Sequence, residues 1–95
     1  MLSGVVFEVT SAGKTPVEGV RVYCDSCGAG HADSYTDGYG AYSFTDVKTA
    51  VYPLWVGKEG YDLAKPTGRA GSGWMGSINA DVNGDTRFDI EIVRR

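Results

Sequence analysis

The stretch that decides the fold runs from Thr36 to Tyr61. It reads Thr36-Asp37-Gly38-Tyr39-Gly40-Ala41-Tyr42-Ser43-Phe44, then a short link, then Tyr52-Pro53-Leu54-Trp55-Val56-Gly57-Lys58-Glu59-Gly60-Tyr61. Asp37-Gly38 and Gly40 suit a turn. Glycine reaches φ > 0 without a Cβ clash, and an aspartate carboxylate accepts a bond from the backbone two residues on. Behind the turn, Tyr42 and Phe44 share one face and Ala41 and Ser43 the other, the period-2 pattern of a half-buried strand. Tyr52, Leu54 and Val56 repeat that pattern. The expectation is a hairpin followed by a third strand.

Working outward, the same alternation recurs. Gly4 to Thr10 is a first strand with Val5, Phe7 and Val9 on one face and Val6 and Glu8 on the other, and Thr10 to Pro16 is a polar turn. Val20 to Cys24 is a second strand with Val20, Val22 and Cys24 inward and Arg21 and Tyr23 outward. Asp25 to Ala32 is a loop, and Asp33 to Thr36 a short third strand leading into the Asp37-Gly38 turn. Ala41 to Thr45 and Val51 to Gly57 are the fourth and fifth strands. Pro53 removes one backbone donor and so suggests an edge, or a position where the missing N–H points outward. Asp62 to Gly76 has no period and reads as a long loop. Ser77 to Val82 alternates at Ile78, Ala80 and Val82. Asn83-Gly84 then gives a hairpin signal, and Thr86 to Val93 places Phe88, Ile90 and Ile92 inward.

Seven short strands without a helical segment predict an all-β, two-sheet sandwich. Its expected core is Val5, Phe7, Val20, Val22, Tyr42, Phe44, Leu54, Val56, Phe88, Ile90 and Ile92. The 95 residues make one domain, residues 1–95, with enough chain for a modest core. A net charge of −3 with scattered Lys and Arg argues against nucleic acid, which requires a basic patch. No apolar run approaches the length of a transmembrane helix, and none of these residues reads as a signal peptide. Strand pattern begins directly behind Met1, so the expectation is a domain of a larger protein, with any export signal outside this chain.

The order of these motifs resembles the carboxypeptidase regulatory-like domain, a transthyretin-like (prealbumin-like) Greek-key sandwich of seven strands. The resemblance lies in Gly4-x-Val6, Thr15-Pro16-Val17-Glu18-Gly19-Val20-x-Val22, Thr36-Asp37-x-x-Gly40-x-Tyr42-x-Phe44, Tyr52-x-Leu54-x-Val56-x-x-x-Gly60-Tyr61 and Phe88-x-Ile90-x-Ile92. It covers about two-thirds of the chain and leaves Asp62 to Asp85 unmatched. The resemblance implies a non-catalytic accessory module of a larger exported protein, located in the periplasm, at the cell surface or outside the cell. Its partners would be neighbouring domains or another protein, with no cofactor. Relatives with activity do not match: hydrolases of this fold use several histidines, and related dioxygenases hold iron with two histidines and two tyrosines. This chain has one histidine, His31. Isopeptide-forming adhesin repeats need a lysine in the first strand and an asparagine in the last, and neither is present.

Three groups of residues carry possible chemistry. Cys24-Asp25-Ser26-Cys27 is compatible with a short-loop disulfide, with two plain thiols, or with a zinc site completed by His31 and Asp25 or Asp33. Asp81-x-Asn83-x-Asp85-x-x-x-Asp89 mimics an oxygen-rich calcium loop, but Thr86 and Ile92 stand where an EF-hand has Gly and Glu. A hairpin turn explains it better, and no metal is expected. Trp55, Tyr61 and Trp74, with Tyr23 and Tyr39, are the aromatic residues a carbohydrate-binding module would stack on sugars. The alternative is that they close the ends and faces of the sandwich.

Overall fold

A computed structural model describes residues 1–25, 31–45, 47–65 and 74–94. These residues form strands and connections, with no helix among them. The strands are β1 Leu2–Thr10, β2 Gly13–Pro16, β3 Arg21–Asp25, β4 His31–Tyr35, β5 Ala41–Phe44, β6 Ala50–Gly57, β7 Tyr61–Leu63, β8 Gly76–Val82, β9 Thr86–Arg87 and β10 Ile90–Arg94. They make two sheets. One is ordered β2-β1-β10-β7, with β5 and β9 also paired to β1, and the other is ordered β4-β3-β6-β8. The all-β, two-sheet expectation holds.

The described residues contain ten strands where the sequence reading expects seven. β2 lies inside the expected first turn, and its residues are mostly exposed, so no apolar alternation announces it. It exists because its backbone pairs with Phe7 to Thr10. β7 falls partly in the expected long loop and pairs with β10. The expected last strand is divided at Phe88-Asp89 into β9 and β10. β6 is not an edge strand, since β3 and β8 flank it, although Pro53 lies just beyond the last residue paired with β3.

Between the sheets, Leu2, Val6, Val20, Val22, Leu54, Val56, Val82, Ile90 and Ile92 are completely buried, with Tyr42 and Phe44 nearly so. The expected core is largely present, but Phe88 is only half-buried against it and β1 shows its other face. Leu2, Gly4, Val6 and Glu8 point inward, Val5 and Phe7 are half-buried, and Val9 is exposed. Both faces of this strand are apolar, so alternation alone had no basis for choosing. Two contacts accompany the observed choice. Glu8 receives two bonds from the Arg94 guanidinium, which allows a carboxylate to face inward. Gly4 lies so close to Phe88 that a Cβ there would come within 2.0 Å of the Phe88 carbonyl oxygen.

The turns also differ from expectation. β4 and β5 belong to different sheets, as do β8 and β9. The Asp37 and Asn83-Gly84 turns therefore carry the chain from one sheet to the other and close no hairpin. Turn chemistry specifies a reversal of direction, and either connection satisfies it. At the first turn the Asp37 carboxylate accepts bonds from the N–H groups of Tyr39 and Ala41, as its position predicts. Gly40 takes the left-handed conformation at φ 72°, whereas Gly38 does not. The Gly40 carbonyl accepts the Val6 N–H, and the Val6 carbonyl accepts the Val17 N–H. The edge of β1 thus passes from β5 to β2 without a gap. Thr36, buried, ties the preceding segment down by donating to the Val17 carbonyl and accepting the Val20 N–H.

Candidate aromatic site

The outer face of the β4-β3-β6-β8 sheet carries the densest group of candidate residues. Alternation sends Arg21 and Tyr23 of β3 and Trp55 of β6 outward, because Val22, Cys24, Leu54 and Val56 occupy the inward positions. Tyr23 and Trp55 are direct cross-strand partners. Trp74 precedes β8, where the Met75 N–H bonds to the Val56 carbonyl. That bond brings its indole over the sheet. The Trp74 ring lies 5.8 Å from Tyr23 and 6.4 Å from Trp55, tilted by 41° and 58°.

A cation completes the group. The Arg21 guanidinium sits 4.9 Å from the Trp74 ring centre. It also donates two 2.9 Å bonds to the two oxygens of Asp33 on β4, a bidentate pair that fixes its plane. The hydrogen bond that Arg21 donates to Asp33 is the main reason that the Arg21 pKa is raised, so the group is a permanent cation. Arg21, Tyr23, Trp55 and Trp74 line an open depression of about 500 Å³. The arrangement offers half-exposed ring faces beside a pinned cation–carboxylate pair, which is binding chemistry.

Of the three aromatic candidates, the structure brings Trp55 and Trp74 together and separates Tyr61. Tyr61 begins β7 in the other sheet, is 9% exposed, and lies under the Arg94 guanidinium at 5.5 Å. It closes part of the core. Tyr39 is 82% exposed at the tip of the Asp37 turn, away from the cluster's lining residues. Arg21 escaped the sequence reading as a site residue, and Asp33 entered it only as a possible zinc ligand. Their pairing is diagonal across β3 and β4, where Tyr23 faces Asp33 and Arg21 faces Tyr35, and it becomes visible only once that register is known.

Cys24 is completely buried at the end of β3 and takes part in a disulfide. A disulfide sulfur is not a thiolate, so Cys24 in this state is no zinc ligand. Cys27 lies outside the described residues, and His31 is placed only through its backbone pairing with Asp25. The acidic group disperses. Asp81 is exposed on β8, Asp85 pairs with the N-terminal ammonium at 3.1 Å, and Asp89 accepts bonds from Arg87 and from the Val5 N–H. The Asn83 N–H bonds to the Thr86 hydroxyl and belongs to the turn. Among the described residues no three His, Cys, Asp or Glu side chains are grouped to hold a metal ion. No described helix is long and apolar enough to cross a membrane.

No family model matches the chain. Colossin-A of Dictyostelium discoideum is 34% identical to it over 79 residues, which are 79% of this chain and 1% of Colossin-A. The chain thus spans about one-hundredth of the length of that curated relative.

Proposed function

We propose that this chain is a non-catalytic accessory domain of a larger, exported protein, a transthyretin-like Greek-key sandwich of the carboxypeptidase regulatory-like kind. Its role is structural: it joins neighbouring parts of a polypeptide in line. One observation carries this reading. β1 and β9–β10, the first and last strands, lie side by side and parallel, with Leu2 opposite Thr86 and Val6 opposite Ile90. Parallel neighbours start at the same end of a sheet, so the chain enters at one end of the sandwich and leaves at the other. A nine-residue strand spans roughly 30 Å. That exceeds the two shorter dimensions, 26 and 19 Å, so the path follows the 37 Å long axis. The similarity to a domain-sized piece of a far longer protein accords with this reading. Small-angle scattering on two copies fused through a short linker tests it. The expected largest dimension is about twice 37 Å, and a folded-back, side-by-side pair would sink the in-line reading.

The aromatic site supports a second reading, a carbohydrate-binding module in which Trp55 and Trp74, with Tyr23, stack on sugar rings beside the Arg21–Asp33 pair. Titration of tryptophan fluorescence across a glycan panel separates the two. Saturable quenching lost in Trp74→Ala establishes the module, and a flat response throughout leaves the structural role.

A further inference from the structure

We propose that the seam between β1 and β9–β10 carries tension, so that the domain transmits pulling force between its two ends without unfolding. This rests on the in-line reading and extends it to a mechanical function. Force applied through the termini draws β1 toward the end where it begins and β10 toward the end where it finishes. Because the strands are parallel and adjacent, that force runs along the seam and loads its bonds together. Antiparallel terminal strands would place both ends on one side, and their bonds would open one at a time.

The seam is built along its whole length. The Thr86 N–H donates to the Met1 carbonyl at 2.9 Å, and the Phe88 N–H to the Ser3 carbonyl at 2.7 Å. The same register continues beyond Phe88-Asp89, where Val6 meets Ile90 and Phe7 meets Glu91. Where the strand is interrupted, the Asp89 carboxylate takes the Val5 N–H at 2.9 Å. Gly4 lets the Phe88 carbonyl approach the β1 backbone, and the Tyr42 hydroxyl donates to that same carbonyl. At the far end Glu8 and Arg94 close the seam with two bonds. The opposite edge of β1 is held by β5 and then β2, and β10 is backed by β7. Neither strand can slide out without shearing a second ladder.

Single-molecule pulling of the full chain between marker domains tests this, with two attachment geometries. In one the handles are the termini. In the other they are the exposed turn residue Ala12 and the C-terminus, which lie at the same end and peel the seam open. Forced unfolding reports the barrier along the pulling path, and we expect rupture through the termini at roughly twice the peeling force or more. Asp89→Ala should lower the terminal-pull force and leave the peeling force unchanged, while Asp89→Asn, which keeps an oxygen acceptor, should retain most of it. Thermal melting of each variant confirms that it is folded before pulling. Equal forces in the two geometries, or an Asp89→Ala loss of the same proportion in both, would overturn the proposal. The in-line arrangement, judged by scattering, would stand or fall separately.

Discussion

The two sheets use alternation differently. In the β4-β3-β6-β8 sheet the inward positions of β3 and β6 hold Val22, Cys24, Leu54 and Val56, all completely buried, and the outward ones hold Arg21, Tyr23 and Trp55. Polarity and position agree, and the outer face is left with aromatic rings at its surface. In the other sheet, β1 is apolar on both faces and turns Glu8 inward and Val9 outward. Position there is set by contacts from other strands: the Arg94 bonds to Glu8, and the approach of Phe88 to Gly4. A strand whose two faces differ in polarity, as β3 and β6 do, can be read from its own residues. A central strand that touches β2, β5, β9 and β10 is placed by its neighbours.

The largest expected effect comes from truncating one ring on each face of the sheet that contains β1, Phe44 on the inner face of β5 and Phe7 on the outer face of β1. Phe44 is 5% exposed, and Phe44→Ala should cost about 3–5 kcal/mol, as deletion of a buried aromatic ring generally does. Phe7, half-buried on the outer face of β1 beneath the Lys14 ammonium, should lose only about 1 kcal/mol on the same change. Chemical denaturation of both variants measures the difference. Equal losses, or a larger loss at Phe7, would mean that the faces of β1 are reversed.

Next in size is the close approach at Gly4. An alanine Cβ there meets the Phe88 backbone, so Gly4→Ala should destabilise by about 1–3 kcal/mol, the usual cost of overpacking. Gly38 has an ordinary φ and its nearest neighbour is Glu18 Oε2 at 3.8 Å, so Gly38→Ala should stay within about 0.5 kcal/mol. If the two variants melt together, the seam tolerates a side chain, and the reason given for the β1 face is wrong.

A smaller effect belongs to Cys24. Cys27 is the only other cysteine in the sequence, and a bridge between them would close a very short loop. Closure entropy grows with loop length, so reduction should cost only about 1 kcal/mol. Melting with and without reductant measures this. Chelator and millimolar calcium should leave the melting temperature in place, since a ligand of the folded state alone shifts it by mass action. A shift with either would make Cys24, Cys27 and His31, or Asp81 to Asp89, the residues to mutate.

The smallest effect is a pH dependence confined to the alkaline range. Burial, and then the nearby Asp89 charge, raise the pKa of the Tyr42 phenol above its ordinary value of 10.0. A raised pKa means that the folded state keeps its proton longer than the unfolded chain does. The stabilisation is complete below pH 10 and is lost as pH climbs beyond it. Tyr42→Phe should flatten that alkaline decline relative to the parent chain, at the cost of the bond to Phe88. Parallel alkaline limbs in the two proteins would rule out Tyr42 as their source.

The sequence by itself determined the all-β class, the inward and outward faces of β3, β5 and β6, the Asp37 and Gly40 turn and most of the core. Each depends on a residue's own backbone preference or on period-2 alternation between unlike faces, and both are local properties. Trp55 and Trp74 were also visible as candidates, because large rings at outward or irregular positions stand out. Tertiary structure alone decided the rest. It chose the face of β1, where both were apolar. It added β2, whose mostly exposed residues carry no apolar alternation, and it sent the Asp37 and Asn83-Gly84 turns between sheets. Tyr61 it put into the core and Trp74 onto the sheet. It joined Arg21 to Asp33 and ran the last strand parallel to the first, because strand partners far apart in sequence are selected by the packing of the whole chain, which no local window contains.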